Sequence, residues 1–432
     1  MTTEARDTLP ALLAHLAATR GDHPAVVMAH EALTYAALDA RSARLARALL
    51  AAGAGKGARI GLLMSDGIDW VTAFCAACRI GALVTCVSTL STPAELAHVL
   101  RSGDVQVLLA ARRFLDHDYA ETLEAALPGL AGQRAGALRL AEAPWLRAVW
   151  LDDAAGAGWA RPMANLLALA DEPGAPDDAL LRAVEREVSP ADPAILIHTS
   201  GSTAQPKAVV PAQWAVARHS AELARMFALT PDDRMMPLLP AFWLAGLSTM
   251  TQTLAVGATL VYPASPAIDH ALDMIERFAV TRVNAWGDRQ PKLIEGARAR
   301  GIAIGHIPEL SQFRDGNGQP IGTKIAMFGM TETFSAHSAQ PVNAPLPPGK
   351  EASFGRAIGG YERRVVDPAT GRELPPGEVG EVQVRGPALM LGFYKRRRGE
   401  VFTPDGYYPT RDLASIDAQG WIYPAGRVDD MI

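Results

Sequence analysis

Between Thr199 and Lys207 the chain carries four hydroxyl side chains, a glycine and a cation: Thr199, Ser200, Gly201, Ser202, Thr203 and Lys207. Each hydroxyl can donate a hydrogen bond, the glycine lets the backbone come close to a ligand, and the lysine adds a compact charge on a flexible stem. Closely held donors beside a positive charge suit a polyphosphate. An ordinary polar hairpin loop is the competing reading. The run is not the G-x-x-x-x-G-K-[ST] loop that opens a helix and cradles an anion on free N–H groups. Pro206 disfavours helical geometry at Gln205. Residues 195–197 before the loop, and Val209, Val210 and Pro211 after it, read as strand. A loop joining two strands is therefore expected.

A second group is Phe328-Gly329-Met330-Thr331-Glu332, expected at the end of a parallel strand, where open α/β sheets bind ligands. Phe328 can pack on a base, Gly329 can admit it, Thr331 can bond an α-phosphate, and Glu332 can hold Mg2+ through oxygen. A Thr-Glu pair capping a helix is the alternative.

The elements that must position these groups follow from pattern. Leu9, Leu12, Leu13 and Leu16 have helical spacing, and 25–28 with 32–35 reads as a hairpin. Helix is expected at 36–52, 68–80 and 93–102, and strand at 59–64, 83–87 and 105–109. This alternation implies parallel sheet covered by helices. A loop-rich stretch at 154–193 precedes a second alternating block, with strands at 194–198, 259–262, 282–285 and 324–328. Beyond the Pro-rich stretch 340–350, short strands such as 362–366 and 380–384 are joined by Asp-Pro, Pro-Pro-Gly and Asp-Gly turns, which suggests a small β-barrel.

Composition bounds the function. A chain of 432 residues has room for two or three packed subdomains. With 49% hydrophobic and 20% charged residues it has a globular balance. A net charge of −5 without a long basic block argues against nucleic acid as the main partner. Lys395-Arg396-Arg397-Arg398 reads as a solvated loop, with a contact to CoA or a carrier protein as the alternative. Cys75, Cys78 and Cys86 read as buried structural thiols, because no second Cys pair accompanies Cys75-x-x-Cys78. The scarcity of cysteine fits a reducing, cytoplasmic setting. The N-terminal residues do not resemble a signal peptide, and no apolar stretch of about 20 residues suggests a membrane span.

The loop 199–207 resembles the phosphate loop of the adenylate-forming superfamily: acyl- and aryl-CoA synthetases, peptide-synthetase adenylation domains and luciferases. The family pattern is close to [ST]-[ST]-G-[ST]-T-G-x-P-K-G. Ala204 and Ala208 stand where glycine is usual, and both are expected to stiffen the loop. The 328–332 group resembles the family's aromatic-Gly-x-Thr-Glu motif. Tyr407-Tyr408-Pro409-Thr410-Arg411-Asp412 resembles its Tyr-x-Thr-Gly-Asp motif, in which the aspartate takes both ribose hydroxyls; Arg411 replaces the glycine, so an ion pair of Asp412 is the competing structural reading. Residues 426–432 resemble the boundary motif, with Arg427 on ribose or phosphate and Asp429 as hinge. The segment 380–386, with Gly392 and Tyr394, is similar to the family's barrel segment.

What the resemblance implies is an α/β fold: two α/β subdomains with mainly parallel sheets packed in layers, plus a small β-barrel subdomain. The expected limits are a large N-terminal adenylation domain at 1–427, divided into about 1–175, 190–340 with the phosphate loop, and 350–426, followed by a hinge at 428–432. The family's small C-terminal domain is expected to be absent. The chain is most like an acyl-CoA synthetase, which activates a hydrophobic carboxylic acid with ATP and Mg2+, releases pyrophosphate and passes the acyl group to CoA. Thr199, Lys207, Thr331 and Glu332 are the implied catalytic residues. Ser200, Gly201, Ser202, Thr203, Phe328, Gly329, Met330, Asp412 and Arg427 complete the ATP/AMP site, with Mg2+ on Glu332. Trp243, Gly246, Trp286 and Gly329 are expected at the acid pocket; Trp243 departs from the histidine that often follows an aromatic there. The loop 315–320 leaves only a few residues before the Thr-Glu motif, so adenine contacts from it are not carried over. Transfer to a carrier protein or an amine, and a non-catalytic nucleotide or acyl binder, are the alternatives. A homodimer is compatible with all of them.

Overall fold

The computed structural model describes residues 6–199, 207–310, 326–344 and 346–428. Its largest sheet has seven strands in the order Lys207–Val209, Ile195–Thr199, Leu83–Cys86, Arg59–Leu63, Val107–Ala110, Ala148–Leu151, Arg161–Pro162. All neighbours are parallel except Lys207–Val209, which runs antiparallel to Ile195–Thr199. Leu83–Cys86 and Val107–Ala110 are buried at every position, as apolar runs in a sheet covered on both faces must be. The helix Ile68–Arg79 is buried at every residue but Asp69. Pro93–Ser102 matches its expected bounds because Thr92 and Glu95 form a reciprocal capping box ahead of it, with Pro93 at the first turn.

A second sheet runs Arg282–Asn284, Arg234–Pro237, Thr259–Val261, Pro24–Val27, Ala32–Thr34. It is parallel except for the hairpin formed by the last two strands. Each sheet thus draws strands from both sequence blocks, and both sheets cross the expected division near 175–190. Alternation of strand and helix dictates parallel pairing but does not say which sheet a strand joins.

Two expectations change. The loop-rich stretch at 154–193 contains the helices Met163–Ala168 and Asp178–Arg186. In the second, Leu181 is the only fully buried residue, and the helix begins where the Asp177 carboxylate accepts the Leu180 N–H at 2.8 Å. The strand expected at 324–328 is Met327–Met330, and it pairs antiparallel with Ser335–Ala339 rather than lying in a parallel sheet. Phe334 and Ser335, at φ 46° and 85°, reverse the chain and bring the second strand back alongside. The region expected as a small barrel contains a four-stranded antiparallel sheet in the order Glu362–Val366, Gly380–Arg385, Tyr408–Ile416, Ile422–Arg427.

This last region is tied to the edge of the largest sheet. Leu391 and Tyr394 donate their N–H groups to Val210 and Ala208, both at 2.8 Å, and Val210 donates to Gly392 at 3.2 Å. The strand Lys207–Val209 is thereby held on both sides. Cys75, Cys78 and Cys86 are free and buried, and burial pushes the Cys75 thiol up to about 12. Among the described residues no helix is long and apolar enough to cross a membrane.

Candidate active site

Thr199 and Lys207 face each other across the last pair of the antiparallel ladder, and Thr199 Oγ1 donates to the Lys207 carbonyl at 3.3 Å. The expected pair of strands thus flanks the loop. Ser200, Gly201, Ser202, Thr203 and Ala204 lie outside the described residues, as do the 315–320 loop and Asp429. Lys207 Nζ sits 5.3 Å from the centroid of the Phe393 ring. Phe393 belongs to the segment that pairs with this strand, so the pairing also sets the lysine over an aromatic face. Ala208 does not stiffen a turn. It pairs with His198 in the ladder and is not among the residues at positive φ, so alanine fits there without strain.

Phe328 packs edge-to-face on His337 and Phe354, with centroids 5.3 and 6.3 Å away. Gly329 must be glycine for reasons of space: a Cβ there would come within 1.9 Å of the Ser335 carbonyl oxygen on the paired strand. The turn Thr331–Thr333 is fastened by Thr333, whose Oγ1 accepts the Met330 N–H at 3.0 Å and donates to the Ser335 carbonyl at 2.7 Å. Thr331 is not used for this, and its hydroxyl has no partner among the described residues. Glu332 does not cap a helix. Its carboxylate accepts from the Tyr408 hydroxyl at 3.3 Å, and its carbonyl accepts the Met390 N–H at 2.8 Å.

Asp412 and Arg427 are opposite residues of the ladder between Tyr408–Ile416 and Ile422–Arg427, and their side chains form an ion pair at 3.2 Å. Burial pushes the Asp412 carboxyl up; Arg427 offsets this, while the Glu332 and Glu381 carboxylates add to it. Burial and Glu332 likewise raise the Tyr408 hydroxyl. Glu332, Tyr408, Asp412 and Arg427 therefore form one electrostatic unit. The partner of Asp412 is Arg427, from the next strand, and Arg411 directs its backbone N–H to Glu381 at 3.0 Å.

Arg411 has φ 61°, in the left-handed region that a side chain with a Cβ enters at a cost of about 1–2 kcal/mol.

A cavity of about 480 Å3 opens beside the 328–332 hairpin. It lies between the helix Leu244–Val256, the strand Arg282–Asn284 with its continuation to Gly287, and Met327 and Ser335 of the hairpin. Trp286 lines it and is 66% exposed. Trp243 does not line it. It precedes the helix, 49% exposed, with its ring edge on Phe242. Gly246 is squeezed beneath the carbonyls of Leu239 and Pro240, 2.2 Å from where a Cβ would be. A smaller cavity of about 150 Å3 lies beyond Phe242 and holds the Asp66 carboxyl, which accepts the Ala241 N–H at 3.1 Å; burial pushes it up to about 7. Sequence reasoning missed Ser248, Thr249, Gln252 and Asn284 on the large cavity's wall. Polar residues at helical spacing within an otherwise apolar helix were the available signal.

The carboxylate chemistry fits Mg2+. Among the described residues no cluster of three or more acidic, histidine or cysteine side chains is placed to hold a metal. Magnesium needs none, because it keeps waters and takes phosphate oxygens together with one or two carboxylates. Glu332 supplies one such oxygen group, half-buried and with Asp412 nearby.

The family model for AMP-binding enzymes matches residues 13–287 and 308–394. A sulfoacetate–CoA ligase of Cupriavidus necator is 29% identical, with the match covering 99% of this chain and 80% of that one. A 3-hydroxybenzoate–CoA ligase of an Aromatoleum species is 26% identical over 96% of this chain and 76% of its own. Among solved structures, a putative long-chain-fatty-acid CoA ligase from Rhodopseudomonas palustris superposes with a TM-score of 0.78 at 26% identity, covering 97% of this chain and 99% of that one.

Proposed function

The chain belongs to the AMP-binding enzyme family, and from that premise we propose that it is an acid–CoA ligase acting through an acyl-adenylate. It is an AMP-forming ligase of the adenylate-forming fold. In the first half-reaction a carboxylate oxygen attacks the α-phosphorus of ATP, the bond to the β-phosphate oxygen breaks, and pyrophosphate leaves. In the second the CoA sulfur attacks the acyl carbon, its proton passes to solvent, and AMP leaves. Chemistry of this kind is governed by positioning and charge neutralisation.

The observation that carries the reading is the joining of Glu332, Tyr408, Asp412 and Arg427 beside a cavity able to hold an acyl group. In this reading Asp412 holds the ribose hydroxyls, with Arg427 beside it on ribose or phosphate. Phe328 and Gly329 take the base, and Thr331, whose hydroxyl is not consumed by the turn, takes the α-phosphate. Thr199 to Thr203 and Lys207 bind the departing phosphates. Glu332 would hold Mg2+, which supplies neutralisation of phosphate charge when bound. The acid's body enters the 480 Å3 cavity, where Phe227, Leu229, Met235, Val283 and Trp286 support a largely apolar acyl or aryl group.

Acid-dependent exchange of radiolabelled pyrophosphate into ATP tests the first half-reaction. Exchange is expected with at least one aryl or acyl acid, and CoA is expected to outperform a carrier protein or an amine as acceptor. Nucleotide binding without exchange, across a broad acid panel, would leave a binding protein instead.

A further inference from the structure

The wall of the large cavity has hydrogen-bonding capacity that the protein itself does not use. Gln252 lies on the helix Leu244–Val256 with 5% of its surface exposed and lines the cavity. Its amide has no partner among the described residues. That amide faces the cavity, so a group that pairs with it better than water does gains affinity, about tenfold for one hydrogen bond. Asn284, also on the wall, donates its Nδ2 to the Ala245 carbonyl at 3.2 Å and to Thr249 Oγ1, which leaves Oδ1 as an unused acceptor among the described residues.

The charges around the same cavity decide what kind of group this is. Arg282 is the cation on its wall, and its side chain is 7% exposed. It donates to the Glu309 carboxylate at 2.6 Å and to the Phe227 carbonyl at 2.8 Å, with Asp233 3.8 Å away. On the wall itself the Arg282 guanidinium is matched by the Glu309 carboxylate, so no net positive charge faces the cavity, and Asp233 behind it adds a further negative charge. A second anionic group on the substrate would meet no uncompensated cation there. An ammonium would be desolvated against carboxylates already engaged by Arg282. An uncharged hydroxyl can donate to Asn284 Oδ1 or to the Gln252 carbonyl and accept from the Gln252 amide.

We infer that the acid taken by this cavity carries an uncharged hydroxyl on its apolar body and no second anionic group. The inference rests on the cavity being the acid site of the ligase reading, and the test separates the two. Benzoate, meta- and para-hydroxybenzoate and isophthalate are compared in two assays: pyrophosphate exchange, and quenching of Trp286 fluorescence, which needs no catalysis, with Trp286→Phe as the subtraction control.

At least one hydroxylated acid is expected to exceed benzoate about tenfold in kcat/KM and in affinity, the size of one buried hydrogen bond, and isophthalate is expected to be weakest. Gln252→Leu is expected to bring that ratio close to one, whatever it does to the absolute rates. Quenching ranked in this order without exchange by any acid would remove the ligase reading and keep the specificity. Isophthalate ranking first, an unchanged ratio in a folded Gln252→Leu protein, or no quenching by any of the acids would overturn it. The wild-type ranking stands whether or not the variant folds.

Discussion

Glu332→Gln is expected to lower acid-dependent pyrophosphate exchange by about 10²- to 10³-fold, the loss typical when one preorganised electrostatic group is removed, without lowering the stability of the fold. The two halves of this expectation have separate causes. The carboxylate is the oxygen donor that fits a hard cation, and an amide is a much weaker one. In the absence of ligand, however, Glu332 is an electrostatic burden on Asp412, whose carboxyl its charge helps push up. Glutamine keeps an oxygen for the Tyr408 hydroxyl, 3.3 Å away, and removes the repulsion. The magnesium concentration giving half-maximal exchange should rise, while the urea midpoint should hold or increase. Exchange at the wild-type rate, with an unshifted magnesium dependence, would reject the metal-binding role. A fall in both activity and midpoint would mark the residue as structural.

The second large effect is on stability in acid. Burial pulls His198 and His219 down to about 4 and His337 down to about 3, with Arg363 and His219 adding to the effect at His337. His198 Nδ1, His219 Nδ1 and His337 Nε2 are buried without a hydrogen-bond partner, so the charged rings would have nothing to donate to there. A histidine whose folded pKa lies below its unfolded value near 6.5 favours the fold when neutral. That contribution is complete above pH 6.5 and is lost as pH falls through the interval down to the folded pKa.

At pH 5 each ring costs the fold roughly 2 kcal/mol, and the three together are comparable with the 5–15 kcal/mol that holds a typical domain. Asp66 acts with the opposite sign. Its carboxyl is raised to about 7, so folded protein takes up its proton first and acidification relieves a strain. The urea midpoint is expected to be level above pH 8, to rise slightly as Asp66 takes up its proton near pH 7, and to fall between pH 6.5 and 4, without that rise and with a deeper fall in Asp66→Asn. A midpoint that stays constant from pH 8 to 4.5 would mean that the rings find counter-charges when protonated.

Sequence patterning disclosed those elements whose start and stop are written locally. The Thr92–Glu95 capping box fixed one helix, and runs of valine and leucine fixed the central strands, because burial on both faces leaves little other chemistry at those positions. It did not disclose the reversal at Phe334 and Ser335, since neither residue type advertises positive φ. The Thr331-Glu332 pair was legible by type. The fastening by Thr333 was not, because it depends on where the returning strand places the Ser335 carbonyl. Asp412 and Arg427 were both singled out, but their contact follows from the register of a bulged ladder. The polar wall at Gln252 and Asn284 was hidden because the helix that carries Gln252 is apolar enough overall to read as core.

The pairing of Leu391 and Tyr394 onto the strand Lys207–Val209 and its continuation has a consequence for the protein's behaviour in a crowded solution. An exposed strand edge is a template on which a second copy of a chain can add and begin a fibre. One flank of the largest sheet is shielded by this pairing from such growth. The opposite flank is the two-residue strand Arg161–Pro162, too short to recruit a neighbour and carrying a proline that lacks the N–H a ladder requires. The same contacts that steady the lysine therefore also act as a guard against self-association.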